Sequence, residues 1–206
     1  MKIGICGGTF DPFHRGHLEP VLAAREAMRW DRVVYVPARR QPFKLDRESA
    51  SGFHRFTMAV LATENLDGVF VSTAELDREE ISYTVDTLEA MRAEFPDATL
   101  DWIIGDDNVE QLGAWKNIDR IFELANFVVL SRNAVAADEG CAFPACVSEA
   151  SDRPQHGAIV YAHNTTVPVS STDVRRKIRA GEPIDELVDP RVSRYIHHYR
   201  LYREHS

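Results

Sequence analysis

Short apolar runs alternate along this chain with stretches in which apolar residues recur every three or four positions. The first pattern reads as buried strand and the second as amphipathic helix. Lys2–Cys6, Arg32–Pro37 (RVVYVP), Val69–Ser72, Leu100–Ile104, Phe127–Leu130 and Ile159–Ala162 read as strands. Leu18, Val21, Leu22 and Met28 share one face of a first helix, with Pro20 tolerated in its first turn. Phe53–Glu64 sets Phe56, Ala59, Val60 and Thr63 on one side of a second helix. Thr84–Glu94 and Ile118–Leu124 are further helices, and two more follow near 171–180 and 189–200.

Strand and helix in alternation predict an α/β fold: a doubly wound parallel sheet covered on both faces, with a small C-terminal helical part at about 171–206. Ligands in such sheets bind beyond the carboxyl ends of the strands. The loop after Cys6, the segment after Pro37, Gly105–Asn108 and Ser131-Arg132 all fall there. Asn133–Gln155 is the least patterned stretch and reads as a long surface loop or insertion.

Composition narrows the partners. A chain of 206 residues that is 44% hydrophobic suits one compact domain, or one domain with a small appendage. It has no apolar run of membrane-spanning length, and its apolar N-terminus is too short for a signal peptide, so a cytoplasmic protein is expected. A net charge of -8 argues against a nucleic acid polymer as partner. Small phosphorylated ligands stay possible, because they need only local donors and a helix N-terminus. Cys6 reads as a small core residue. Cys141 and Cys146 with His156 and His163 raise the question of zinc, but their spacing matches no common finger or ribbon, and no metal ligands are assigned.

The densest chemistry is GGTFDPFHRGH, residues 7–17, where the first strand should end and the first helix begin. Glycines there would let the backbone approach a ligand and adopt positive φ. The helix N-terminus offers N–H groups and partial positive charge. Neither a dinucleotide fingerprint nor a Walker loop is present, so the positive charge must come from elsewhere. With a helix starting near Gly16, His14 and His17 can face one pocket, hold a phosphate and stabilise a leaving group. The plainer alternative is a pair of partly exposed histidines at a turn. The glycines and the strand-to-helix junction favour the phosphate site.

This motif resembles the nucleotidyltransferase superfamily, whose signature is [HT]-x-G-H, with His14 and His17 at the signature positions. The resemblance implies that these histidines contact the phosphates of ATP. It also implies in-line attack on the α-phosphate and departure of pyrophosphate, with no covalent enzyme intermediate. Further segments resemble bacterial nicotinate mononucleotide adenylyltransferases: Ser82-Tyr83-Thr84-Val85-Asp86-Thr87-Leu88, Ile103–Asn108 followed by Trp115-Lys116, Phe53-His54-Arg55 with Met58, Val169–Arg175, and the tail Val192–Tyr202. The likeness spans nearly the whole chain apart from about 133–157, which implies a single nucleotidyltransferase domain over 1–206.

The physics of these segments is compatible with that likeness. Ser170–Thr172 opens a helix whose hydroxyls and N–H groups can bind anions, and Arg175 lies about one turn on. A plain N-cap with a solvated basic face is the simpler alternative. Trp115 can pack in a core or stack on a pyridine ring. Thr84 can be an N-cap or bring N–H groups to a carboxylate, and Asp107 can form a turn or accept from substrate.

The resemblance assigns catalytic roles to His14 and His17. It assigns ATP binding to Gly7, Gly8, Thr9, Phe10, Gly105, Asp107, Ser170, Ser171, Thr172 and Arg175. Lys44, Thr84 and Trp115 would bind nicotinate mononucleotide. Magnesium would bridge ATP phosphates with few or no protein ligands. Three departures stand out: Phe43 in QPFK where the family often has His, Phe13 for a common Pro, and Asp106 for a common Ala.

The expected reaction joins ATP and nicotinate mononucleotide into deamido-NAD and pyrophosphate. Its rivals are a sibling transferase using nicotinamide mononucleotide or phosphopantetheine, and a non-catalytic nucleotide-binding regulator. A Rossmann oxidoreductase lacks its glycine fingerprint. A homo-oligomer stays open, as does the role of 133–157.

Overall fold

The computed structural model describes residues 1–39, 49–78, 81–130, 146–147, 154–162 and 164–203. Its centre is a sheet of seven strands: β1 (Lys2–Gly8), β2 (Arg32–Pro37), β3 (Val69–Val71), β4 (Thr99–Gly105), β5 (Asn126–Leu130), β6 (Cys146–Val147) and β7 (Ile159–Ala162). They lie in the order β3-β2-β1-β4-β5-β7-β6, and every neighbouring pair is parallel. Among the described residues the α-helices are α1 (Arg15–Met28), α2 (Gly52–Thr63), α3 (Thr84–Glu94), α4 (Ile118–Leu124), α5 (Ser171–Arg179) and α6 (Pro190–His198).

Strand alternation divides the core between the two faces of the sheet. Val33, Tyr35, Ile103, Val128 and Val160 pack with Val21 and Met28 of α1, Met58 and Ala59 of α2, Val174 of α5 and Val192 of α6. Their strand neighbours Val34, Val36, Trp102, Ile104, Val129 and Ile159 pack on the opposite face with Leu88 and Met91 of α3 and Ile121 of α4. The C-terminal helices therefore complete a core layer rather than forming a separate one. The doubly wound parallel sheet expected from the sequence is the fold observed.

Three details differ from the pattern reading. The buried stripe of α2 is Arg55, Met58, Ala59, Ala62 and Thr63, so Phe56 and Val60 sit at its margin. The stripe is rotated because Arg55, 2% exposed, occupies an inward position that a hydrophobicity count assigns to solvent. A 3-10 helix covers Asp106–Ala114, a polar stretch for which the sequence reading expects no helix. Within the segment read as a loop, Cys146–Val147 adds a short edge strand beside β7; the rest of 131–153 lies outside the described residues, as do His163 and the side chain of Cys146.

Strand order reverses between β1 and β4, so their carboxyl ends open a crevice between helices on opposite faces. Cys6 pairs with Ile103 across this junction, which sets the loop after β1 beside Gly105.

Candidate functional site

Gly7 and Gly8 are the last residues of β1, and neither has positive φ. A side chain on Gly7 would place Cβ 2.6 Å from the Trp102 ring, and one on Gly8 would come 2.7 Å from Phe10. The pair therefore makes room for two aromatic rings. The positive φ expected of a glycine falls instead on Phe10, at 53°. Its ring, 2% exposed, packs in the core. Thr9 Oγ1 is buried with no hydrogen-bond partner among the described residues.

His14 is the N-cap of α1, in extended conformation, and is 5% exposed. Its backbone N–H donates to Nδ1 of His17 at 3.3 Å. That bond places the proton of a neutral His17 ring on Nε2, which becomes the donor. The two imidazoles stack with centroids 3.7 Å apart. Phe10 meets the His17 ring edge-on at 5.0 Å, Phe13 lies 5.5 Å away, and Tyr35 donates its hydroxyl to the His17 carbonyl at 3.1 Å. Phe13, at 1% exposure, thus builds the aromatic wall behind the histidines. Gly16 permits this close packing, since a Cβ there would come 2.9 Å from the Val169 carbonyl and 3.1 Å from the His14 ring.

The same turn brings α5 against the loop after β1. Ser170 caps α5 by accepting from the Asp173 N–H at 3.1 Å. Ser171 donates to the Pro12 carbonyl at 3.1 Å. Arg175 donates through Nη1 to the Asp11 carbonyl at 2.6 Å and through Nη2 to Thr172 Oγ1 at 3.3 Å. The histidine turn and the Ser-Ser-Thr…Arg turn, more than 150 residues apart, are thus one hydrogen-bonded unit. It presents hydrogen-bond donors, the Arg175 guanidinium and a helix N-terminus together, a set suited to anionic oxygens.

A second group forms around the start of α3. Thr84 is its first residue, and the preceding Tyr83 makes no side-chain cap. Trp115 ends the 3-10 helix and meets Phe127 edge-on at 5.8 Å. Its neighbour Lys116 lies over the Tyr83 ring at 4.2 Å and 3.5 Å from Asp86, which ties the tryptophan turn to α3. Gly105 leaves room for Asp107, whose Oδ1 would meet a Cβ there at 2.6 Å. Asp106, the first residue of the 3-10 helix, accepts from the Asp107 N–H at 3.0 Å. Lys44 and Phe43 lie outside the described residues.

Two buried groups hold these turns: Arg55, which the sequence places in a matching segment without a role, and Glu75, which no motif includes. Arg55 donates to the carbonyls of Thr9 (2.6 Å), Ala50 (3.0 Å) and Arg39 (3.5 Å). Burial lowers its proton affinity and nearby Asp11 opposes that effect. Glu75, 4% exposed, accepts from Thr87 Oγ1 of α3 at 2.7 Å, and burial pushes its carboxyl above the ordinary value. The available signal was Arg55 recurring in step with Met58, Ala59 and Ala62. A cavity of about 250 Å³ lined by Phe13, His14, Arg15, Leu18, Asp185 and Asp189 shares only His14 with the predicted site residues.

Comparison with known proteins places this geometry in context. The cytidylyltransferase-like family model matches residues 5–177. A probable nicotinate-nucleotide adenylyltransferase of Thermoanaerobacter sp. (strain X514) is 37% identical, with 99% of this chain and 95% of the relative covered. One from Gemmatimonas aurantiaca is also 37% identical, covering 100% of this chain and 94% of the relative. Among solved structures, a Plasmodium falciparum nicotinic acid mononucleotide adenylyltransferase complexed with NaAD superposes with a TM-score of 0.71 at 20% identity, over 98% of this chain and 97% of that one.

Proposed function

The chain belongs to the cytidylyltransferase-like family, and from that membership we propose that it is a nicotinate-nucleotide adenylyltransferase, joining ATP and nicotinate mononucleotide into deamido-NAD and pyrophosphate. The observation that carries the reaction type is the bonded pairing of the His14–His17 turn with the start of α5. The acceptor is read from the names of the relatives together with the α3 and Trp115 group.

The substrate phosphate is already an anionic nucleophile, so no strong base is needed and catalysis is positioning and charge neutralisation. One oxygen of the mononucleotide phosphate forms a bond to the α-phosphorus of ATP. The bond from that phosphorus to the bridging oxygen breaks, and pyrophosphate leaves with its electrons. His17 Nε2 donates to phosphate oxygens as charge moves to the leaving group, with His14 beside it. Ser170, Ser171, Thr172 and Arg175 hold the outer phosphates at the N-terminus of α5, with Gly7, Gly8, Thr9, Phe10, Gly105 and Asp107 forming the surrounding backbone and the nucleoside contacts. Thr84, with the N–H groups opening α3, receives the nicotinate carboxylate, and Trp115 stacks on the ring. Lys44 is assigned to the mononucleotide phosphate.

Among the described residues no three His, Cys, Asp or Glu side chains gather to hold a metal. The donors and the Arg175 guanidinium assigned to the phosphates suit oxygen anions, so magnesium is assigned to the substrate, arriving as its ATP complex. No described helix is long and apolar enough to cross a membrane, and a cytoplasmic setting fits an ATP-consuming step.

The test is direct competition. With ATP and magnesium, equal nicotinate and nicotinamide mononucleotides are offered and both dinucleotides are quantified. Predominance of deamido-NAD is expected. Predominance of the amide product, or ATP binding without pyrophosphate release, would refute the assignment.

A further inference from the structure

Asp11 is 5% exposed, yet its oxygens are reached from three distant segments. Its Oδ1 accepts from the Ala50 N–H at 3.1 Å and from the Tyr202 hydroxyl at 2.7 Å. Two donors on one oxygen orient the carboxylate and leave Oδ2 toward Arg175, 3.8 Å from Nη1. The Asp11 carbonyl holds the same Nη1 at 2.6 Å, so one residue grips the guanidinium by its main chain and faces it with its side-chain charge.

The tail is bent to make this contact. Arg200 and Tyr202 both take positive φ, 53° and 63°, which is unfavourable for residues with a Cβ and persists where surrounding structure demands it. Burial and the Asp11 charge both raise the Tyr202 hydroxyl well above its ordinary value, so it stays protonated and remains a donor at any physiological pH.

We propose that Asp11 and Tyr202 are positioning residues for Arg175: the tail hydroxyl orients the Asp11 carboxylate, which with its own carbonyl fixes the guanidinium where it meets the outer phosphates of ATP. The inference rests on the proposed role of Arg175 and adds to it two residues that are not assigned substrate contacts. A flexible arginine would lose rotamer freedom on binding a phosphate, whereas a guanidinium already fixed at both Nη atoms has lost it beforehand. The effect belongs to ATP and leaves the α3 and Trp115 group unaltered.

A double-mutant cycle on the full chain tests this, using calorimetric titration with ATP and magnesium in the absence of any acceptor. Tyr202→Phe keeps the ring and removes the donor. It is expected to weaken ATP binding roughly three- to tenfold. Its affinity for nicotinate mononucleotide should stay at the wild-type value. Arg175→Ala should weaken ATP binding further, and adding Tyr202→Phe to it should change nothing more. Asp11→Asn, which keeps an acceptor for Tyr202 but removes the charge, should match Tyr202→Phe, with melting temperature reporting that each variant is folded. Additive losses in the double variant, or unchanged ATP affinity in folded Tyr202→Phe beside an impaired Arg175→Ala, would overturn the proposal alone. Wild-type ATP affinity in Arg175→Ala would overturn the role of Arg175 and this inference with it. Neither result depends on which acceptor the enzyme uses.

Discussion

His17 receives the backbone N–H of His14 on Nδ1, and the two rings stack 3.7 Å apart. The N-cap and the third residue of α1 therefore fix each other: the backbone sets the tautomer, and the stack sets the ring plane. His17 is expected to act as a pre-oriented donor whose loss affects turnover more than folding. His17→Ala should reduce kcat about 10²- to 10³-fold, the usual scale for one transition-state donor. Pyrophosphate release by the purified variant, compared with its melting curve, checks this. Wild-type turnover would remove His17 from the reaction.

Gly16 tests the same geometry from the backbone side. Gly16→Ala places a methyl 2.9 Å from the Val169 carbonyl, a main-chain neighbour that yields only if the loop before α5 moves. Overpacking of this kind costs about 1–3 kcal/mol. Urea unfolding should report that loss, and kcat/KM should fall as well because the displaced segment leads directly into Ser170–Thr172. A stable, fully active variant would show that the two turns are not tightly joined.

Glu75 gives a dependence on pH. Burial raises its folded-state carboxyl value above the unfolded one, with the Thr87 hydrogen bond acting in the other direction. In the window between the two values the folded chain binds more protons than the unfolded chain. The Glu75 contribution is therefore fully present below the unfolded value and is lost as pH rises through the folded one. Glu75→Gln, which keeps an oxygen for Thr87, should flatten this slope. Urea midpoints of both proteins at a series of pH values from the ordinary glutamate range to neutrality measure the difference. Parallel curves would remove Glu75 as its source.

The parts of this molecule that follow a period were legible in the sequence. The predicted limits of β2, α3, α4 and β7 coincide with the observed ones; the two strands are compact apolar runs, and the two helices bury Val85, Leu88 and Met91, and Ile121 and Leu124, at helical spacing. The two-residue strand β6 is too short to show a period, and the polar composition of Asp106–Ala114 hides its 3-10 helix. In the candidate site, the motif residues place themselves at strand and helix ends, which is where the topology needed them. The groups behind them were not legible. A lone arginine or glutamate in sequence is by default a surface residue, and a tyrosine can lie on either side of the boundary. Only the folded chain shows Arg55 spanning three carbonyls, or Asp11 meeting Tyr202. The glycines carry a related lesson: Gly7 and Gly8 look like ligand clearance in the sequence, whereas in the structure they clear Trp102 and Phe10.

The Arg175–Asp11 and Tyr202–Asp11 bonds span 164 and 191 residues. Contacts of such separation form only after long loops have closed. During synthesis, α1 and its histidines leave the ribosome far ahead of α5, and α5 ahead of the tail. A nascent chain that has reached α5 already carries the proposed triphosphate residues but not the hydroxyl that aligns them. Alignment of the arginine is thus a late event in the life of the chain, and premature termination a few residues short of Tyr202 would release a protein with its nucleotide residues present and its arginine untethered from the tail.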